Sequence, residues 1–194
     1  IGACYDGNII FDKLKNKKMG EGITLMNSDN TNKIWQITKQ YENEKLKDDI
    51  SSLGIGIDIY QESINKPFRE YLVNFNYVIR VMENYGFVPL DDTDAKKMGL
   101  PSGVGNVKEL YTTLENDVKR NPGIKKNIKN SLDMSDNEKY ISFLNKYFVF
   151  KKIRNVDAKS VKIETLDESI GTDETEKDIP KKNNKKSKKL RLVE

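Results

Sequence analysis

Pro67-Phe-Arg-Glu-Tyr-Leu-Val-Asn-Phe-Asn-Tyr-Val-Ile-Arg-Val-Met-Glu-Asn-Tyr-Gly86-Phe-Val-Pro-Leu90 is the stretch on which the fold turns. Phe68, Tyr71, Leu72, Phe75, Val78, Ile79, Met82 and Tyr85 recur every three or four residues, which predicts one helix over 67–85 with a single apolar stripe. Pro67 suits the first helical position and Gly86 the exit. Phe87, Val88, Pro89 and Leu90 then read as a short strand. A helix that runs straight into an apolar strand is half of a βαβ unit, so the fold class is α/β.

Working upstream, Ile1–Cys4 reads as the end of a strand, Asp6-Gly7 as a turn, and Ile9, Ile10, Phe11 and Leu14 as a short helix. Ile23 and Leu25, then Ile34, Trp35 and Ile37, then Ile55, Ile57 and Ile59 fit the period-2 signal of strands. Lys39–Asp49 is nearly all polar and predicts an exposed hairpin loop. Downstream, 91–105 carries Asp, Lys, Gly and Pro and reads as a loop, and Leu110, Leu114 and Val118 mark a helix. Ser135 with Glu138 three residues on is a capping box that opens another helix. Tyr147, Phe148, Val149 and Phe150 predict an aromatic strand.

The 194 residues suffice for one domain and a tail. An acidic block from Glu164 to Asp178 is followed by seven cations from Lys181 to Arg191, with few apolar residues between them. Such a run buries too little surface to offset its ordering entropy, so the expected division is a domain over 1–155 and a charged disordered tail over 156–194. The net charge of +4 selects no partner, although the lysine-rich end could touch RNA. There is no histidine, which removes His triads, His general bases and His-ligated metals. The single cysteine permits no intrachain disulfide and fits a reducing, intracellular compartment. No apolar run approaches the roughly 20 residues that span a bilayer, so no membrane partner is expected.

Gly54-Ile-Gly56 and Gly103-Val-Gly105 lack the third glycine and the strand–turn–helix setting of a nucleotide loop, and read as bend glycines. Glu70, placed in the first turn of the expected helix, has two readings. Its carboxylate could favour the positive end of the helix dipole. Alternatively it could accept the two adjacent donors, N1–H and the N2 amine, on the Watson–Crick edge of guanine. Tyr60 and Tyr147 stand at strand ends and could each offer a ring face, where base stacking contributes about 1–3 kcal/mol.

Four groups of residues sharpen that choice. Ile1-Gly-Ala-Cys-Tyr-Asp-Gly7 followed by Ile10-Phe-Asp-Lys-Leu-Lys15 resembles the C-terminal half of mRNA cap guanine-N7 methyltransferases, in the variety found in the multifunctional capping enzymes of poxviruses and giant DNA viruses. Lys33-Ile-Trp-Gln-Ile37 comes next in the family's order, then Glu70-Tyr-Leu-Val-Asn-Phe75 with Met82-Glu-Asn-Tyr-Gly-Phe87. Ile141-Ser-Phe-Leu-Asn-Lys-Tyr-Phe-Val-Phe-Lys-Lys152 completes it, and the match covers 1–152 without the tail.

The resemblance implies an α/β fold that is the C-terminal half of a class I, Rossmann-like methyltransferase with a mixed sheet. It implies methyl transfer from S-adenosylmethionine to N7 of the mRNA cap guanosine. Glu70 would then hydrogen-bond the cap guanine and Tyr147 would lie against it, with Tyr60 near a further aromatic of the pocket and Cys4 and Tyr5 lining it. N7 carries a free lone pair at neutral pH and the sulfonium is a good leaving group, so the reaction asks for alignment more than for a base, and alignment can supply about 7–11 kcal/mol. The implied partners are capped RNA and either a stimulatory subunit or upstream capping domains. If viral, the compartment is the host cytoplasm or the virion, and if cellular, the nucleus. The glycine-rich cofactor half is expected before Ile1, which would leave the 194 residues inactive alone. Two other readings compete: a methyltransferase-like stimulatory subunit without catalysis, and an RNA-binding module working through the lysine tail.

Overall fold

The computed structural model describes residues 1–128 and 130–162, and the expected tail from 163 onward lies outside them. The chain forms β1 (Gly2–Tyr5), α1 (Gly7–Lys13), β2 (Gly22–Met26), β3 (Lys33–Gln40), β4 (Gly56–Gln61) and β5 (Lys66–Tyr71). There follow α2 (Phe75–Asn84), β6 (Phe87–Pro89), α3 (Asp92–Lys97), β7 (Val104–Asn106) and α4 (Val107–Arg120). The last elements are α5 (Lys125–Ile128), α6 (Asp136–Ser142), β8 (Asn145–Phe148) and β9 (Phe150–Lys152). The fold is mixed α/β, as the sequence predicts.

β2 to β5 make an antiparallel meander in chain order. One face of it carries Trp35, Ile37, Ile57 and Ile59, and α1 lays Ile10, Phe11 and Leu14 against them to form the core. Alternation at period 2 is what puts those side chains on one face. Lys39 belongs to this core rather than to the exposed loop expected of it. It is buried, and its Nζ donates to the carbonyls of Lys17 at 3.0 Å and Leu14 at 3.5 Å, at the end of α1 where carbonyls lack helical partners.

The second unit is built around residues 145–152. β1 and β7 flank β8, β6 pairs with β9, and all these pairings are antiparallel. Val149 joins the two halves, donating its N–H to Gly103 O at 2.7 Å and accepting from Leu90 N–H at 3.0 Å. The aromatic strand is therefore interrupted at Val149 rather than continuous. β1 and β6 both run against 145–152 but pair with different segments of it and not with one another, so every strand pairing in this unit is antiparallel.

The helix expected over 67–85 is not one element. Residues 66–71 are strand β5, and the helix begins only at Phe75. Phe68 and Glu70 alternate with Arg69 and Tyr71 as well as they fit a helical stripe, and pairing with β4 decides the matter. Pro67 has no N–H to give a ladder, which is tolerated because β5 is an edge strand. Asn74 then starts α2 by accepting a hydrogen bond from Tyr77 N–H at 3.2 Å. Gly86 does end the helix, with φ +85. The expected loop 91–105 contains α3, capped by Asp91, and β7. Ser135 and Glu138 form the predicted capping box on α6.

The two units meet where β1 ends. Asp6 bridges to Val73 in parallel, and Gly7 N–H donates to Val73 O at 3.0 Å. A Cβ on Gly7 would stand 2.5 Å from that carbonyl oxygen, so the approach requires glycine. This crossing brings the end of β1 beside the end of β5. No helix among the described residues is long and apolar enough to cross a membrane.

Candidate functional site

Glu70 lies on the last strand of the meander, opposite Ile57 on β4. It thus shares the meander face of Ile57, Ile59 and Gln61, the face turned toward α1 and β1. It is half-buried, and burial pushes its carboxyl above the ordinary glutamate value. No hydrogen bond or ion pair from the described residues reaches it. The carboxylate is partly desolvated, and its oxygens still reach solvent, where a ligand could meet them. The helix-dipole reading of Glu70 falls with the helix, since the residue is on a strand five positions before α2 begins.

Two other named residues stand near it. Cys4 feels burial first, then the charges of Asp6 and Glu70, and its thiol is held above its usual value. Burial likewise raises the Tyr5 hydroxyl, with Glu70 adding to it. Tyr5 is held by the meander: Trp35 Nε1–H donates to its hydroxyl at 3.0 Å, and Gln61 hydrogen-bonds it as well. Gln61 has no counterpart in the sequence reading, which places Trp35 on a strand and in a motif without giving it a partner. Period-2 alternation puts 35 on the inner face, yet only the crossing at Asp6 reveals that Tyr5 meets it.

Tyr147 sits on β8 directly across from Ala3, on the face of that sheet that also carries Tyr5. It is only 6% exposed. Its hydroxyl is tied to Ser102, donating to the carbonyl at 3.2 Å and accepting from the N–H at 3.3 Å, and its ring covers Gly105. Little of that ring is left to meet a ligand.

Tyr60 is not brought to the others. It pairs with Pro67 and Gln36, which puts it on the opposite face of the meander from Glu70. There Lys33 Nζ stands 4.2 Å from its ring centroid and its hydroxyl donates to Asn65. The slip is one of register, because a single residue changes the face. Of the five residues expected to surround the base, Cys4 and Tyr5 both feel the charge of Glu70 but stand on opposite faces of β1, Tyr147 shares the Tyr5 face and is buried there, and Tyr60 is separate.

Asp6 anchors the corner. It is buried, pairs with Lys146 Nζ at 3.1 Å and caps α1 by accepting from Asn8 N–H at 3.0 Å. Next to Trp35 and Gln61 opens a cleft of about 510 Å³ whose walls also include Asn27, Glu62, Ser135 and Asn137. Glu70 does not line it. No group of His, Cys, Asp and Glu able to hold a metal ion occurs among the described residues.

No model of a known protein family matches the chain. The chain is similar to a probable mRNA-capping enzyme of Acanthamoeba polyphaga mimivirus, 26% identical over 178 residues. That match covers 80% of this chain and 14% of the viral protein, so the chain spans a small part of that relative's length.

Proposed function

We propose that this chain is the cap-reading part of an mRNA (guanine-N7) methyltransferase within an mRNA-capping enzyme, with a fold that is the C-terminal half of a Rossmann-like methyltransferase. The observation that carries the reading is Glu70: a half-buried carboxylate that the described residues leave without a donor, beside the end of β1. Guanine N1–H and N2–H would satisfy both of its oxygens, and charge-assisted hydrogen bonds of that kind are about twice as strong as neutral ones. The similarity to a viral capping enzyme supports the same reading.

In this reading the chain's own work is to hold and orient a base. Glu70 grips the Watson–Crick edge, and that fixes where N7, on the opposite edge, points. Tyr5 and Cys4 border the base from the two faces of the end of β1, and the Trp35 and Gln61 bonds keep the Tyr5 ring from swinging away. The thiol of Cys4, held protonated, offers contact rather than nucleophilic attack. No proton needs to leave N7 before it is alkylated, so the arrangement requires no general base.

The described residues do not fit S-adenosylmethionine. Gly103 is pressed against the Leu90 backbone and Gly105 lies under the Tyr147 ring, while Gly54 is an open turn and Gly56 lies beneath Arg69. None of these glycines leaves a cradle at a helix entrance for a nucleotide. The cap-reading part of a larger methyltransferase and a methyltransferase-like stimulatory subunit both fit this arrangement, and donor binding by the complete protein separates them.

The test is Glu70→Gln in the complete capping protein, with binding of a cap dinucleotide and of uncapped RNA measured at one salt concentration. A glutamine turns an N–H₂ toward a guanine donor, so cap affinity should fall at least tenfold while uncapped RNA is unaffected, consistent with about 1–3 kcal/mol for an unpaired donor. Unchanged cap affinity overturns the proposal. Photolabelling of the same protein with radioactive S-adenosylmethionine separates the catalytic reading from the stimulatory one.

A further inference from the structure

Between Asp117 and Asp133 the chain carries five cations and no acid. Lys119 and Arg120 close α4, and Lys125 and Lys126 open α5 after a 3-10 turn at Pro122–Ile124. All four are exposed, and no ion pair among the described residues reaches any of them, whereas Lys97 and Lys151 share Asp94, Arg69 holds Asp58 and Lys146 holds Asp6. The turn between them is pinned. Asn121 N–H donates to Asp117 O at 2.8 Å, its side chain accepts from Gly123 N–H at 3.2 Å, and Ile124 N–H closes on Asn121 O at 3.1 Å. Cations in the last turn of α4 complement that helix's dipole. The dipole does not account for two further lysines placed immediately across a rigid turn.

We propose that this basic turn binds the phosphate backbone of single-stranded RNA. Four exposed cations held on one short, ordered corner match a chain of regularly spaced phosphates, and although Glu115 and Asp117 lie nearby on α4, no carboxylate of the described residues ion-pairs with them. The fourteen residues of α4 stand the turn about 20 Å from Asn106, and the turn shares no element with Glu70 on β5. It is blind to sequence and to the cap, because phosphates carry no base information. It rests on the cap-reading proposal only for the identity of the RNA.

The experiment measures binding of an uncapped, unstructured uridine 20-mer to the full protein across a salt series, for the natural chain, for R120E/K125E/K126E and for the neutral K125Q/K126Q. The lysine-rich residues from Lys181 are common to all three, so differences report the turn. The triple variant should weaken low-salt binding by about tenfold or more and flatten the log affinity–log salt slope by roughly 0.7 for each phosphate that is no longer neutralised. K125Q/K126Q should shift both in the same direction by less, and it carries the test if the triple variant does not fold. Binding of a cap dinucleotide should not change. An unchanged slope in the folded variants, or equal loss of binding to polyglutamate, overturns the assignment. If Glu70→Gln leaves cap discrimination intact while these variants flatten the slope, the cap reading fails and the basic turn stands. The reverse pattern fails the turn alone.

Discussion

Asp6 and Glu70 are two carboxylates set at the same crossing of the chain, and the protein treats them in opposite ways. Asp6 is buried and fully engaged, by Lys146, by the first turn of α1 and by the Asp6–Val73 bridge. Glu70, near the other end of that bridge, is only half-buried and receives no donor from the described residues. A saturated acid holds a fold together, and an unsaturated one is held by the fold for something else. The two should therefore separate under mutation. Asp6→Ala removes a helix cap and leaves Lys146 without its partner. Breaking one side of a buried pair costs about 3–5 kcal/mol, and because Lys146 keeps some access to water the loss should be near 3 kcal/mol. Urea denaturation read by Trp35 fluorescence measures it, and a loss below about 1 kcal/mol breaks the contrast.

Glu70→Gln should reverse the pattern, with the complete protein losing about 2 kcal/mol of cap affinity and none of its stability. Calorimetric titration with a cap dinucleotide and a thermal melt on the same sample read both quantities. A variant that melts early with its cap affinity intact would make Glu70 another structural acid.

How these two residues could be read in advance differs as well. The strands at Ile23–Leu25, Ile34–Ile37 and Ile55–Ile59 were legible because one face of each meets α1, and that leaves a period of two in the sequence. The caps at Ser135 and Gly86 were legible because capping is chemistry within a few residues. Glu70 was singled out for guanine recognition while its local structure was misread, since Phe68 and Leu72, four apart, satisfy a helical spacing and a strand alternation at once. Pairing with β4 settles the conflict, and that contact is not local. The face occupied by Tyr60 depends on the register across the turn between Gln61 and Lys66, where Asn65 takes φ +55. No spacing rule shows that register. The Asp6–Lys146 pair is farther still from local signals, because it spans nearly the whole domain.

A smaller effect sharpens the comparison from the side of Tyr5. Tyr5→Phe removes the acceptor for Trp35 Nε1–H, which is buried, but Gln61 lies close enough to take part of the load. The expected cost is about 1 kcal/mol of stability. If Tyr5 also walls the base, cap affinity should fall further than the stability loss explains, and Tyr60→Phe, on the other face of the meander, should leave cap affinity unchanged.

The smallest effect tests the unsatisfied state of Glu70 itself. Burial raises its folded carboxyl above the value it has in the unfolded chain. Between the two values the folded protein holds a proton that the unfolded protein has released, so stability rises as the pH falls through that window. Above the window the folded chain carries the cost of a partly desolvated charge. Glutamine carries no such charge, so Glu70→Gln should be slightly more stable than the natural protein at neutral pH. The advantage should shrink as pH falls through the raised value and vanish below the ordinary glutamate range. Cap binding by the natural protein should weaken over the same interval, because a protonated carboxyl no longer accepts two donors. Paired thermal melts between about pH 4 and 7 read the first effect and cap titrations read the second. An advantage that grows on acidification would mean that Glu70 is stabilised as a charge by a partner, which would make it a second Asp6.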